Sequence, residues 1–198
     1  MAIRLRKATL ADVPAIEALI ARSARGLSRD DYRPAQVESA LRGAFGVDTQ
    51  LLADGTYFLA LEDPTGDSAV EGRQDATAAG VLSGCGGWSF RATLFGGDAR
   101  AGRDASELDP ATQPAKIRAF FVDPAAARRG IASLLLAHCE SEARARGFAR
   151  AELMATLPGV KFYSRRGYLG AAPVRYDTGF GEFIEFLPMH KQLHDRPV

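Results

Sequence analysis

The sequence predicts one mixed α/β (α+β) domain, and three observations carry that prediction. The chain has 198 residues, the length of a single domain. Short strand-like apolar runs alternate with stretches of helical period. The resulting order, βααβββαβαββ, shows no internal repeat and no second boundary, so residues 1–198 read as one unit.

Composition narrows the function classes. Apolar residues make up 46% and charged residues 25%, which suits a packed core and argues against disorder. No run approaches the roughly 20 apolar residues of a membrane helix, so no membrane partner is expected. The start, MAIRLRKATLADVPAI, lacks a signal peptide's apolar centre, which predicts a cytoplasmic protein. Net charge is +1, without the basic excess of a nucleic-acid binder. Cys85 and Cys139 are too few for a disulfide scaffold, and His138, His190 and His194 have no metal-ligand spacing, so no metal is expected.

The elements follow in order. Ile3-Arg4-Leu5-Arg6 alternates as a half-buried strand. Thr9 caps a helix, with Asp12 in a capping-box-like position and Val13, Ile16, Leu19 and Ile20 at helical spacing. A second helix starts at Pro34 and runs through Val37 and Leu41. Tyr57–Leu61 and Gly80–Trp88 are strands, and the polar segment near 63–78 between them reads as a mobile insertion. A second long insertion, 90–115, contains several Gly and Pro and also reads as mobile. Ile117–Val122 is a strand ended by Asp123-Pro124. A helix runs from about Arg129 to Arg146, with Ile131, Leu134 and Leu135 on one face and Glu140/Arg144 and Glu142/Arg146 as i,i+4 pairs. Ala151–Ala155 is a strand, Gly159–Arg166 a short helix, and Ala172–Tyr176 and Glu182–Met189 the last strands.

The turn after Val122 has the chemistry of an anion site. A helix start leaves backbone N–H groups without partners and carries partial positive charge. Gly130 and Ala132 let a bulky anion approach the backbone, and Arg128 and Arg129 add charge. A solvated Arg pair at an ordinary strand–helix turn is the competing reading. Neither a P-loop nor a dinucleotide fingerprint is present, which disfavours a nucleotide-triphosphate, nicotinamide or flavin site.

The run FFVDPAAARRGIASLLL resembles motif A of the GNAT-type acyl-CoA-dependent N-acetyltransferases, [Q/R]-x-x-G-x-[G/A]. Gly130, Ile131 and Ala132 match it, while Ala127 stands where Gln or Arg is usual. KFYSRRGY resembles the family's F-Y-x-x-x-G-[F/Y] segment, and the element order also matches. The resemblance implies a mixed, mostly antiparallel sheet of about seven strands, splayed between strands 4 and 5 and flanked by about four helices. It implies acetyl-CoA as co-substrate and a primary amine as acceptor, of a small molecule or amino-acid derivative. It places pantetheine along Phe120, Phe121 and Val122, and the diphosphate on the N–H groups of Arg128, Arg129, Gly130, Ile131, Ala132 and Ser133. It makes Phe120 N–H the donor to the thioester oxygen and Tyr163 the general acid.

Glu152, Glu182 and Glu185 are candidate bases, none above a solvated strand carboxylate. Cys85 reads as a buried small residue, Trp88 as core or cleft lining, and Gly84, Gly86 and Gly87 as sites of close approach or a bulge. The resemblance places the acceptor site near residues 23–32, 88–95 and 175–181, with Arg25, Arg29, Asp30, Asp31, Tyr32, Arg91, Arg175 and Asp177 carrying both signs. Two alternatives stay open: a non-catalytic acyl-CoA-sensing module, and a peptide or protein N-terminal acetyltransferase. An open-edged sheet also leaves a homodimer open.

Overall fold

The computed structural model describes residues 2–63, 76–77 and 80–193. Most of the 63–78 insertion and His194 therefore lie outside the described residues. The strands are β1 (Ile3–Lys7), β2 (Tyr57–Glu62), β3 (Ala76–Thr77), β4 (Gly80–Ser89), β5 (Ala115–Val122), β6 (Arg150–Thr156), β7 (Leu169–Gly170), β8 (Val174–Asp177) and β9 (Phe183–Gln192). The helices are α1 (Val13–Leu27), α2 (Pro34–Ala40), α3 (Thr49–Ala53), α4 (Ile131–Ala145) and α5 (Leu157–Ser164). Two-residue strands β3 and β7 and five-residue helix α3 were not anticipated, because elements so short carry no periodic signal.

The strands form one sheet in the order β1-β2-β4-β5-β6-β9-β7, with β3 pairing β4 and β8 pairing β9. Every pairing is antiparallel except β5 with β6. That parallel pair spans only Ala115↔Ala151 and Lys116↔Glu152, and beyond it the two strands part. This is the expected splay.

Apolar side chains fill both faces of the sheet. On one face, Ile131, Leu135 and Cys139 of α4 pack with Trp88, Ile117, Phe148 and Tyr163. On the other, Ile16, Leu19 and Ile20 of α1 pack with Val37, Phe45, Leu51, Leu59 and Phe186. The Thr9–Asp12 box expected to cap the helix caps a 3₁₀ turn, Leu10–Asp12, that leads into α1. The Asp12 carboxylate reaches back to Thr9 N–H at 2.8 Å, and Arg6 clamps it with two bonds of 2.6 and 2.8 Å.

Three expectations need correction. Helix α4 begins at Ile131, because Pro124–Ala126 forms a separate 3₁₀ turn before it. Its buried stripe runs through Ile131, Leu135, Leu136 and Cys139, and leaves Leu134 39% exposed. The expected i,i+4 pairs give way to longer-range partners. Lys191 Nζ binds both Glu140 oxygens at 2.8 Å, Trp88 Nε1 donates to Glu142 at 3.1 Å, and the Arg146 guanidinium lies 3.6 Å over the Phe90 ring.

Segment 90–115, expected to be mobile, folds back as a packed arch. Arg91 binds Asp54 through two bonds of 2.8 and 2.9 Å, Thr93 N–H donates to Asp104 O at 3.0 Å, and Leu108 is buried. Charged side chains tie it to α3 and β5: Arg103 pairs with Asp48, and Arg118 donates to Gly96 O at 2.7 Å.

Candidate active site

The site grows from an irregularity in β5. Cys85 pairs with Phe121 and Gly87 with Arg118, so Ala119 and Phe120 together oppose Gly86. This is a β-bulge, and it holds Ala119 at a left-handed φ of 56°. The buried Tyr57 hydroxyl donates to Ala119 O at 3.1 Å and lies 3.2 Å from Cys85 Sγ. Gly86 is required here, since a Cβ would meet the Phe120 ring at 2.8 Å. Gly84 serves α4 likewise, for a Cβ there would meet Ile131 Cγ2 at 2.6 Å.

After the bulge the backbone of β5 alternates between its two neighbours. Asp123 N–H donates to Ser83 O on β4 at 2.9 Å, and Val122 N–H donates to Ser23 Oγ of α1 at 3.2 Å. Phe120 lies in the bulge itself, beside the gap where β5 and β6 part. Of the three expected backbone positions, Val122 has its N–H engaged by Ser23 Oγ. Phe121 pairs with β4 and sends its ring to Phe45, at 5.9 Å between centroids. The first four residues of β5 are buried and the last four are half-buried, although β5 is central in the sheet. That exposure is the opening of the cleft.

The turn beyond Val122 shapes the end of the gap. Asp123 accepts Ala125 N–H at 2.9 Å. Arg128 and Gly130 have positive φ of 63° and 86°, which turns the backbone just before α4 begins. A Cβ on Gly130 would meet nothing within 4 Å, so the approach to the helix start is open. Arg128 is exposed beside it. Arg129 behaves differently from its neighbour: it is paired with Glu62, which is buried on β2 and also accepts from Ser83 Oγ at 2.8 Å. Arg129 charge is thus balanced within the fold, contrary to the expected double cation. Arg166 replaces it at the helix start, where its guanidinium binds Ser133 Oγ and lies 4.7 Å over the Phe162 ring.

Tyr163 stands on α5 across the gap from the bulge. Its ring meets Phe120, Phe162 and Tyr168 edge-on, with centroids at 6.5, 5.0 and 5.7 Å. Burial, and secondarily Cys139, pushes its phenol pKa well above the ordinary value, so the hydroxyl stays protonated at neutral pH. Two of the carboxylates considered as bases are otherwise occupied. Glu152 binds Lys116, and Glu182 binds Arg33 at 2.7 Å. Glu185 is an exposed strand residue whose carbonyl accepts the Tyr32 hydroxyl at 2.5 Å.

A model of the acetyltransferase (GNAT) family matches residues 35–168 of this chain. The chain belongs to that family. No curated protein matches the sequence. Among solved structures, a GCN5-related N-acetyltransferase from Rhodopseudomonas palustris is 19% identical with TM-score 0.65, covering 97% of this chain and 96% of that one. The PaiA N-acetyltransferase of Thermoplasma acidophilum, solved with coenzyme A, is 14% identical with TM-score 0.60, covering 97% and 99%. The ribosomal-protein-S18-alanine N-acetyltransferase of Escherichia coli is 16% identical with TM-score 0.56, covering 99% and 97%.

Within this GNAT chain the buried Phe45 and Phe186 escaped the sequence reading, while Phe95 and Tyr176 fall in the segments expected to form the acceptor site. Phe45, Phe95, Tyr176 and Phe186 form an aromatic wall on the α1–α3 side of the sheet, with Phe95 5.1 Å from Tyr176 and 5.3 Å from Phe186. Tyr32 ties this side together, accepting Leu157 N–H at 2.8 Å while donating to Glu185 O. Arg25 pairs with Glu38, and Arg175 stacks on Phe183. Trp88 lies on the opposite face, in the core with Phe90 and Phe148. Cys85 is an inert buried thiol, its pKa pushed up to about 12 by burial. His138 packs edge-on against Phe58 at 4.4 Å. Among the described residues no helix is long and apolar enough to cross a membrane. None of their His, Cys, Asp and Glu side chains gather in threes able to hold a metal ion.

Proposed function

We propose that this GNAT chain transfers an acetyl group from acetyl-CoA to a primary amine of a small molecule or amino-acid derivative. The observation that carries the reading is one continuous cleft edge. It starts at the bulge with Phe120 N–H, follows Phe120–Val122, and ends at the open turn before α4. The turn suits a diphosphate, since Gly130 leaves space and the N–H groups of Ile131, Ala132 and Ser133 open a fifteen-residue helix. Arg128 and Arg166 supply positive charge there.

The bound thioester supplies the activated acetyl group. Phe120 N–H, fixed by the bulge, donates to its oxygen as negative charge builds there, an effect worth roughly 3 kcal/mol in other acyl transfers. The amine nitrogen bonds to the acetyl carbon as the carbon–sulfur bond breaks. The amine gives up a proton to solvent, the departing thiolate takes one from Tyr163, and solvent returns a proton to the phenolate. Both buried cysteines are free thiols, which suits the cytosolic setting included in this proposal.

Thiol release from acetyl-CoA against a panel of amines tests the reading. Turnover with at least one amine is the expected result. Tight coenzyme A binding with no turnover across the panel would replace it with the sensing module.

A further inference from the structure

Resting on the acetyl-transfer reading, we propose that the acceptor amine carries a carboxylate, and that Arg118, flanked by Arg100 and Arg103, holds it. The wall of a cavity of about 260 Å³ between α3, the 90–115 arch and the first half of β5 includes Thr93, Arg91, Arg103 and Arg118 together with Asp98 and Asp104.

Its base is a cluster of paired charges around the buried Asp48. Arg118 is 4% exposed and pairs at 2.6 Å with Asp48, which is fully buried. Arg103 shares Asp48 and binds Asp98 at 2.6 Å. Arg100 stacks 4.3 Å over Phe95 and lies 5.9 Å from the Tyr176 ring. Arg91, Arg100, Arg103 and Arg118 thus meet Asp48, Asp54, Asp98 and Asp104, with Asp54 clamped by Arg91 and Asp104 accepting Ser106 N–H at 2.9 Å. Burial lowers the Arg118 pKa, Asp48 offsets part of this, and Arg103 and Arg100 add to the lowering.

Two donors in the cluster are unspent. Arg118 Nε and Arg100 Nε are buried and have no hydrogen-bond partner among the described residues. Arg118 spends its other nitrogens on Asp48 and on Gly96 O at 2.7 Å. A buried charged donor left unpaired is costly. A carboxylate answers both donors, since it brings two acceptor oxygens to charge-assisted hydrogen bonds with guanidinium groups.

Position links the cluster to the reaction. Arg118 immediately precedes the bulge and stands two residues before Phe120, a span of about 7 Å along a strand. A carboxylate at Arg118 therefore leaves an amine on a short linker within reach of the thioester. Arg100 connects the cluster, through Phe95 and Tyr176, to the aromatic wall of the cleft.

The test compares matched acceptors by thiol release: an amino acid, its carboxamide, and the amine lacking the carboxyl group, in acidic, aromatic and basic side-chain sets. The carboxylate member of at least one set is expected to exceed its amide at least tenfold in kcat/KM. Arg118→Lys keeps a cation for Asp48 but removes the Nε–H. It is expected to raise KM for that acceptor about tenfold and leave acetyl-CoA affinity unchanged by calorimetry. Arg100→Gln, remote from Asp48, is expected to act in the same direction and covers the case that Arg118→Lys fails to fold. Amides or carboxyl-free amines used equally well or better would overturn the carboxylate site while the acetyl-transfer reading stands. Failure to bind acetyl-CoA at all would overturn that reading, and this one with it.

Discussion

Arg128 and Arg129 are adjacent in the chain and meet different partners. Arg128 is exposed at the open turn, while Arg129 pairs with the buried Glu62. Arg128→Ala is expected to weaken coenzyme A binding about two- to fivefold and flatten its salt dependence, measured by calorimetry at two ionic strengths. Arg129→Ala is expected instead to cost about 1–2 kcal/mol of stability in urea denaturation, because Glu62 loses a partner in a half-exposed pair. Equal effects of both changes on affinity would contradict this division. Tyr163 presents a single testable proton. Its burial keeps the phenol protonated, so Tyr163→Phe should lower kcat about 100-fold while the KM for acetyl-CoA moves little. An unchanged kcat would remove Tyr163 from the mechanism. The sequence named Arg128, Gly130 and Tyr163 through local motifs. It could not show that Arg129 turns to Glu62, since the two are brought together only by the packing of β2 beside the turn.

At the scale of elements, two glycines in β4 control separate functions. Gly84→Ala would press on Ile131 and the Phe121 carbonyl, at 2.6 and 3.4 Å, and is expected to destabilise the chain by about 1–3 kcal/mol. Gly86→Ala would press on the Phe120 ring and displace the bulge, so kcat should fall further than the loss of stability explains. Comparing denaturation midpoints with kcat for the two variants separates the roles. The anchoring of α1 has a pH signature. Its hydrogen bonds with Arg6, ahead of those with Thr9, hold the Asp12 pKa down at about 2 against an ordinary 3.8. A depressed acid stabilises the fold above its ordinary pKa, and that increment is lost as pH falls through the folded value. Asp12→Asn should therefore cost about 1–2 kcal/mol at pH 7, with the two stability curves converging between pH 4 and 2. Parallel curves would disprove the linkage. The strand GVLSGCGGW announced close approaches at its glycines. Which neighbour each one admits depends on how β5 and α4 pack against it.

For the whole molecule, the binding reading predicts a linkage effect. Coenzyme A at 100 times its dissociation constant should add about 2.7 kcal/mol to stability. For a chain of this size that raises Tm by about 5–10 °C, readable by thermal shift, and no rise at saturating ligand would count against the cleft. The sequence by itself determined the mixed α/β class, the long strands and helices, the Gly130 turn and the Tyr163 segment. Those features are local, because periodicity, caps and turn residues act within a few neighbours along the chain. Only the tertiary structure decided that the 90–115 arch packs, that Arg129 is balanced by Glu62, that Arg166 reaches Ser133, and that Arg100, Arg103 and Arg118 gather around Asp48. Each of these joins residues far apart in sequence through ion pairs and buried contacts, and side-chain chemistry read in order along a chain carries no record of which distant partner will meet it.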